Sequence, residues 1–305
     1  MLKKTLLGAA AFAIAFGTIA TTTAFADDIK MFRIGLLGGE NEADRLKNNQ
    51  CLVDQIGKLL NVEVKLFPAS DYDGVMQGLL GGTLDFAELG ASGYAGVYLK
   101  DPTAVDPILT TQQTDGSTGY YSIGLALKSS GIKTIMDAKG KKLGYADPDS
   151  TSGFLIPKVA IPVTTGVPND TFFSATQFDG GHENNVLAML DGKVDVSVDD
   201  SSGIGNFDDG YTSGTFHKMV AKGAADPKKV VEVWRSPRIP NGPLVVAKAV
   251  SADVKAKIVD YFTNLPKTDK TCFSSVEGGD FTGYVPVKPE FYQTIIDARK
   301  SQIGT

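Results

Sequence analysis

Asp147-Pro148-Asp149-Ser150-Thr151-Ser152-Gly153-Phe154 reads as a turn from a strand into a helix. Leu143-Gly144-Tyr145-Ala146 before it reads as the end of a short buried strand. Pro148 forces a turn, and Asp149 or Ser150 is placed to cap a helix begun by Phe154, Leu155 and Ile156. The first N–H groups of a helix have no partner within it and carry the positive end of its dipole, so an anion binds there without needing Arg or Lys. Taken alone, such a Ser/Thr-rich turn is a helix cap and no more. Its weight as an anion site comes from the rest of the chain.

Working outward, Ile34-Gly35-Leu36-Leu37 is an apolar strand followed by the loop Gly38-Gly39-Glu40-Asn41. Leu46, Val53, Ile56 and Leu60 then recur at helical spacing, and Val62 to Leu66 alternates as a strand, so the chain opens with a β-α-β unit. Asp71 caps a helix carrying Val75, Met76, Leu79 and Leu80, Gly81-Gly82 ends it, and Leu84 to Ala87 is a third strand. The same helix and strand return 110 positions later, as Val186 to Leu190 and Val194 to Ser197, and that offset sets Tyr72 against His182. Two similarly wound α/β lobes are implied, with a ligand cleft where the carboxyl edges of their sheets face each other. The expected boundaries are 27–118 with 241–305 for lobe 1 and 119–232 for lobe 2, joined by hinge crossovers near 110–122 and 232–241. Val254, Ile258 and Phe262 mark a helix face in the returning part of lobe 1.

Lys3 and Lys4, the apolar run Leu6 to Ile19 and Ala24-Phe25-Ala26 form a secretory signal peptide over residues 1–26, so export to the periplasm is expected. Cutting after Ala26 leaves 279 of the 305 residues, enough for two domains at 42% hydrophobic content. A net charge of −5 argues against nucleic acid and against an anionic membrane surface. The two cysteines, Cys51 and Cys272, permit one disulfide in an oxidising compartment, a free buried pair being the alternative. A monomer is expected.

Hydrolase, zinc-protease, P-loop and dinucleotide signatures are missing from the sequence. With His182 and His217 the only histidines, a multi-His metal site is excluded, and neither catalysis nor a cofactor is expected. His182 follows Gly180-Gly181 at a helix start, which favours a ligand contact over a structural role. The hydroxyls of Tyr72, Tyr120 and Tyr121 stand at loop and crossover positions and favour donation into the cleft.

Five short motifs occur in one order along the chain: Asp71-Tyr72 with Gly74 and Gln77-Gly78; Asp115-Gly116 with Gly119-Tyr120-Tyr121-Ser122; Asp147 to Phe154; Gly181-His182-Glu183-Asn184-Asn185; and Ser236-Pro237 with Ile239-Pro240. In this the chain resembles the substrate-binding proteins of phosphonate and phosphite ABC transporters, PhnD-like members of the type II periplasmic binding proteins. The resemblance covers nearly all residues after the signal peptide. It implies an α/β fold of two lobes, each a mostly parallel sheet flanked by helices, that delivers a small phosphonate to an inner-membrane ABC permease. It also implies that Ser150, Thr151 and Ser152, the backbone N–H groups of that helix start, His182, Tyr72 and Tyr120 hydrogen-bond the phosphonate oxygens.

At the other end of the ligand the chain departs from the family. Members that take 2-aminoethylphosphonate hold its ammonium with two acidic residues, and the matching positions here are Ser202 and Gly242. That alone favours phosphite, phosphate or methylphosphonate. Yet Glu88 follows the third strand where an aromatic is common, Asp199 and Asp200 follow the echoing strand, and Glu40 sits in the first loop. Acids in a cleft that also takes an anion call for a cationic group on the ligand. The expectation is therefore 2-aminoethylphosphonate, its amine held by Glu88, Asp199, Asp200 and Glu40.

Overall fold

The computed structural model describes residues 29–303; the expected signal peptide lies outside them. Strand β1 (Met31–Leu36) leads to α1 (Glu42–Leu60), which Asn41 caps by accepting the Asp44 N–H and which stops at Asn61 in left-handed conformation, φ 55°. Next come β2 (Glu63–Pro68), α2 (Tyr72–Leu80), capped by Asp71 through the Gly74 N–H, then β3 (Phe86–Glu88), α3 (Ala91–Lys100) and β4 (Val105–Gln113). The chain then crosses to a second sheet through β5 (Gly119–Leu127) and β6 (Lys142–Tyr145). A π-helical turn, Thr151–Leu155, runs into α4 (Ile156–Thr165), followed by α5 (Asn169–Phe172), β7 (Ala175–Phe178), α6 (His182–Leu190) and β8 (Val196–Ser201). After α7 (Thr215–Ala221), β9 (Val230–Arg235) and β10 (Ile239–Pro240), the chain returns as β11 (Pro243–Ala247), α8 (Ala252–Thr268), α9 (Lys270–Glu277), β12 (Phe281–Pro286) and α10 (Gln293–Ile303).

Two six-stranded sheets result. Lobe 1 has the order β12-β4-β11-β3-β1-β2; lobe 2 has β10-β5-β8-β6-β7, with β9 also on β5. In lobe 1, β1, β2, β3 and β4 point one way, while β11 and β12 oppose them. In lobe 2, β5 alone opposes the other five. The fold is thus α/β and mostly parallel in direction. In each sheet the strand entering from the other lobe, β5 or β11, is the antiparallel insert.

The repeat seen in the sequence is kept in space. Helices α2 and α6 begin at Tyr72 and His182 and end at Leu80 and Leu190, and the next strands begin at Phe86 and Val196, each pair 110 positions apart. The strands start two residues later than their hydrophobicity predicts. Leu84 and Val194 are buried, but their N–H groups fold back onto Gly78 O and Ala188 O, so each anchors a helix end without joining the ladder. At the other end, pairing with Leu244 of β11 makes Glu88 close β3 instead of following it, and Asp199 and Asp200 lie within β8, opposite Ile123 and Ser122 of β5.

The core of lobe 1 fills the sheet face carrying Phe32, Ile34, Phe86 and Val246 against Leu52 and Ile56 of α1 and Ile258 and Phe262 of α8. Phe86 and Phe262 stack there at 5.1 Å between centroids. Cys51 of α1 and Cys272 of α9 are disulfide-bonded, with Cα atoms 5.9 Å apart, which decides between the two alternatives left by the sequence. Among the described residues no helix is long and apolar enough to cross a membrane.

Candidate ligand-binding site

Between the carboxyl edges of the two sheets lies a cavity of about 300 Å3. One wall is the turn that opened the sequence reading. Ser150, rather than Asp149, caps it by accepting the Gly153 N–H at 3.0 Å, and Ser150, Thr151 and Ser152 are all nearly fully buried. The amides of Thr151 and Ser152, first in the helix, have no intrahelical acceptor and are available to an anion. Asp149 instead reaches across to Arg299 of α10.

His182, the first residue of α6, completes this wall. Its Nε2 lies 2.9 Å from Ser150 Oγ, its Nδ1 2.7 Å from Asp199 Oδ1 and 3.4 Å from Asp200 Oδ1. Burial opposes a charged ring, but the Asp199 hydrogen bond and the Asp200 charge overcome it and lift His182 to about 9. At neutral pH both ring nitrogens then carry protons. Ser150 Oγ accepts from His182 Nε2 and from Gly153 N, so its own proton is left to donate into the cavity. Thr151 is arranged alike: its Oγ1 accepts the Ser92 N–H from lobe 1 at 2.8 Å, freeing its proton. Burial pushes the Tyr120 phenol up to about 12, and burial with Asp200 lifts the Tyr72 phenol well above its ordinary value. All of these groups are donors at pH 7, which is what an oxyanion requires.

The rest of the lining is acidic. Asp200 stands beside His182, and Glu40, Glu88 and Glu277 also face the cavity, together with Lys218 of α7. Lys218 Nζ lies 2.5 Å from Glu40 Oε1, and its charge holds the Glu40 carboxyl below the usual range. Burial works against an ionised Asp200, but His182 and Lys218 keep it low, and its Oδ2 accepts the Thr215 N–H at 3.1 Å. Glu88 and Glu277 are different. Glu88 is exposed to the open cleft, yet the protein around it and Glu40 raise its carboxyl to about 7, opposed by Lys218 alone. Burial and Glu88 push Glu277 up as well, and its partner is the hydroxyl of Tyr284. The remaining cation of the lining, Arg45, is bound by the carbonyls of Leu36, Leu37 and Ala69.

The lobes meet around this cavity. Besides the Lys218–Glu40 pair, Lys222 contacts Asp44 at 2.6 Å and Asn41 N donates to Glu183 at 3.2 Å. At the rim Gly39 (φ 94°) and Gly181 (φ 146°) touch backbone to backbone: a Cβ on Gly181 would lie 2.1 Å from Gly39 Cα. Any side chain there would hold the lobes apart.

The structure therefore brings nine of the ten sequence-expected residues, Tyr72, Tyr120, Ser150, Thr151, Ser152, His182, Glu40, Glu88 and Asp200, to one cavity. Asp199 is the exception. It is wholly buried behind His182, so it positions the imidazole and cannot meet an amine. Glu277 and Lys218 were missed because no local pattern marks them; a search for the counter-ion that so many acids demand was the available signal. Ser202 and Gly242 do line the cavity, but Ser202 Oγ is bound to Thr212 Oγ1 at 2.9 Å, and a Cβ at Gly242 would lie 1.9 Å from Leu89 O. No carboxylate could enter from Gly242 without moving backbone.

Comparison with known proteins agrees with this geometry. Residues 34–292 match the family model described as the periplasmic substrate-binding protein of phosphonate ABC transporters. The chain is 30% identical over 243 residues to the phosphonates-binding periplasmic protein of Escherichia coli, covering 78% of this chain and 67% of that one. It is 28% identical over 237 residues to the phosphate-import protein PhnD of Mycolicibacterium smegmatis, covering 75% and 70%. Among solved structures, the methylphosphonate complex of PhnD1 from Prochlorococcus marinus superposes with a TM-score of 0.75 at 16% identity, over 90% of this chain and 99% of the other. These relatives bind solutes for transport and are not enzymes. Fold, cleft and family match together make this chain a member of the phosphonate-binding family of periplasmic ABC-transporter substrate-binding proteins.

Proposed function

We propose that the chain captures an aminoalkylphosphonate, 2-aminoethylphosphonate being the simplest, and hands it to an inner-membrane ABC permease. The observation that carries this is the pair Glu88 and Glu277, two carboxyls at one end of the cavity with a single cation, Lys218, acting on either, and that cation already held by Glu40. A phosphonate without an amine would bring further negative charge into this cleft. An ammonium on the same ligand supplies what the pair lacks, and an ion pair shielded from bulk water is stronger than an exposed one.

In this reading the phosphonate oxygens accept hydrogen bonds from the hydroxyls of Ser150, Thr151, Ser152, Tyr72 and Tyr120 and from the free amides of Thr151 and Ser152, while His182, both of whose N–H groups are engaged, adds its positive charge behind Ser150. Glu88 takes the amine, with Glu40 and Asp200 contributing through the charge network that Lys218 balances. The mature chain begins after Ala26, acts as a monomer in the periplasm, and closes by movement in the crossovers near 110–122 and 232–241, residues 27–118 with 241–305 turning against 119–232. The Gly39–Gly181 contact and the Lys218–Glu40 bridge support closure, since each joins the lobes at the rim of the cleft.

The test is calorimetric titration of the ligand-stripped chain with 2-aminoethylphosphonate, methylphosphonate, phosphite and phosphate. Tight binding of the aminated compound, at least tenfold above the others, is expected. A preference for methylphosphonate, phosphite or phosphate overturns the amine assignment and leaves the anion wall standing.

A further inference from the structure

The cavity is larger than the simplest ligand needs. Its volume of about 300 Å3 falls at the lower end of pockets that enclose drug-sized molecules, whereas 2-aminoethylphosphonate has only a handful of non-hydrogen atoms. Part of its lining is apolar and lies on the same elements as the two acids. Glu88 and Phe86 stand two residues apart on β3 and so share one face of the lobe 1 sheet. Phe262 of α8 stacks on Phe86, Val276 precedes Glu277 on α9, and Phe281 opens β12; all four apolar side chains line the same cavity as the two carboxyls.

This end of the cleft is thus a chamber with aromatic and aliphatic walls and negative charge at its mouth. A primary ammonium suits it poorly, because three N–H donors need three acceptors and the phenylalanines and Val276 offer none. An ammonium bearing methyl groups suits it well: its charge is spread over apolar surface, it needs few acceptors, and aromatic faces attract it.

We infer that the chamber bounded by Phe86, Phe262, Val276 and Phe281, with Glu88 and Glu277 at its mouth, receives the N-methylated ammonium group of an aminoalkylphosphonate. The assignment rests on the aminophosphonate reading above and narrows it to N-substituted members of that class. Phe281 and Val276 are the specificity-determining side chains, being partly open to the cavity where Phe86 and Phe262 are buried in the core.

The experiment is a ligand series on the unaltered chain: methylphosphonate, 2-aminoethylphosphonate, and its N-monomethyl and N-trimethyl derivatives, each titrated calorimetrically at one pH and salt concentration. The expected result is affinity rising with methylation, the trimethyl compound about tenfold above the primary amine, a step of the size measured for a cation on an aromatic face. Phe281→Ala should remove most of that step while leaving 2-aminoethylphosphonate within about twofold. Tight binding of the primary amine with loss on methylation overturns the chamber assignment while the aminophosphonate reading survives. Tight methylphosphonate with all three amines weak overturns both.

Discussion

The two ends of the cleft are built on opposite plans. The anion wall is saturated: Ser150, Thr151 and His182 each have a fixed protein partner, so every remaining proton points at the ligand. The acidic end is left incomplete. Glu88 pushes the Glu277 carboxyl up, Lys218 is the one cation acting on both, and Val276 and Phe281 line the cavity with them. A preorganised wall gives affinity for what all ligands of the family share, because its ordering cost is met on folding. An unbalanced wall gives discrimination, because a ligand lacking the complementary group leaves the two carboxyls without a counter-ion.

The largest effect should come from breaking the saturated end at its root. His182→Leu leaves Asp199 buried without its partner, a loss of about 3–5 kcal/mol of folding stability by chemical denaturation. Phosphonate affinity should fall with it; an unchanged denaturation midpoint would mean Asp199 is neutral and the imidazole uncharged. Thr151→Val removes one charge-assisted donor and the acceptor of Ser92, about 1.5–3 kcal/mol of binding for every phosphonate tested. Unchanged affinity would place the anion elsewhere.

At the other end the effect should be smaller and selective. Glu88→Gln should weaken 2-aminoethylphosphonate by about 1.4 kcal/mol, tenfold, and methylphosphonate hardly at all; equal losses would erase the contrast between the two ends. The smallest effect is on pH. Glu88 must be ionised to hold an ammonium, so the ratio of aminated to methylphosphonate affinity should rise as pH increases through about 7. The second ionisation of each phosphonate, lowered by the ammonium in the aminated compound, is measured separately and divided out. His182 has the opposite sign: its folded value is raised, so its contribution is present below 6.5 and is lost as pH climbs through about 9, for both ligands together.

Much of this was legible without coordinates. The cap at Ser150, the helix starts at Tyr72 and His182 and their constant spacing depend on residues within a turn or two of each other. Strand limits were less legible, since Leu84 and Val194 are buried for the helix and not for the sheet, and pairing with β5 carries β8 on through Asp199 and Asp200. From there Asp199, counted with the amine end, turned behind His182.

By itself, then, the sequence determined the α/β repeat, the helix starts of the proposed anion wall and the family, because caps, periodicity and turn residues act through neighbours along the chain. Tertiary structure alone decided the Cys51–Cys272 bond, the Lys218–Glu40 bridge, the exclusion of any side chain at Gly242, and the meeting of Glu88 with Glu277. Charge balance and free volume depend on separations in space. Residues far apart in the chain acquire those separations only once both sheets have folded and the lobes have met.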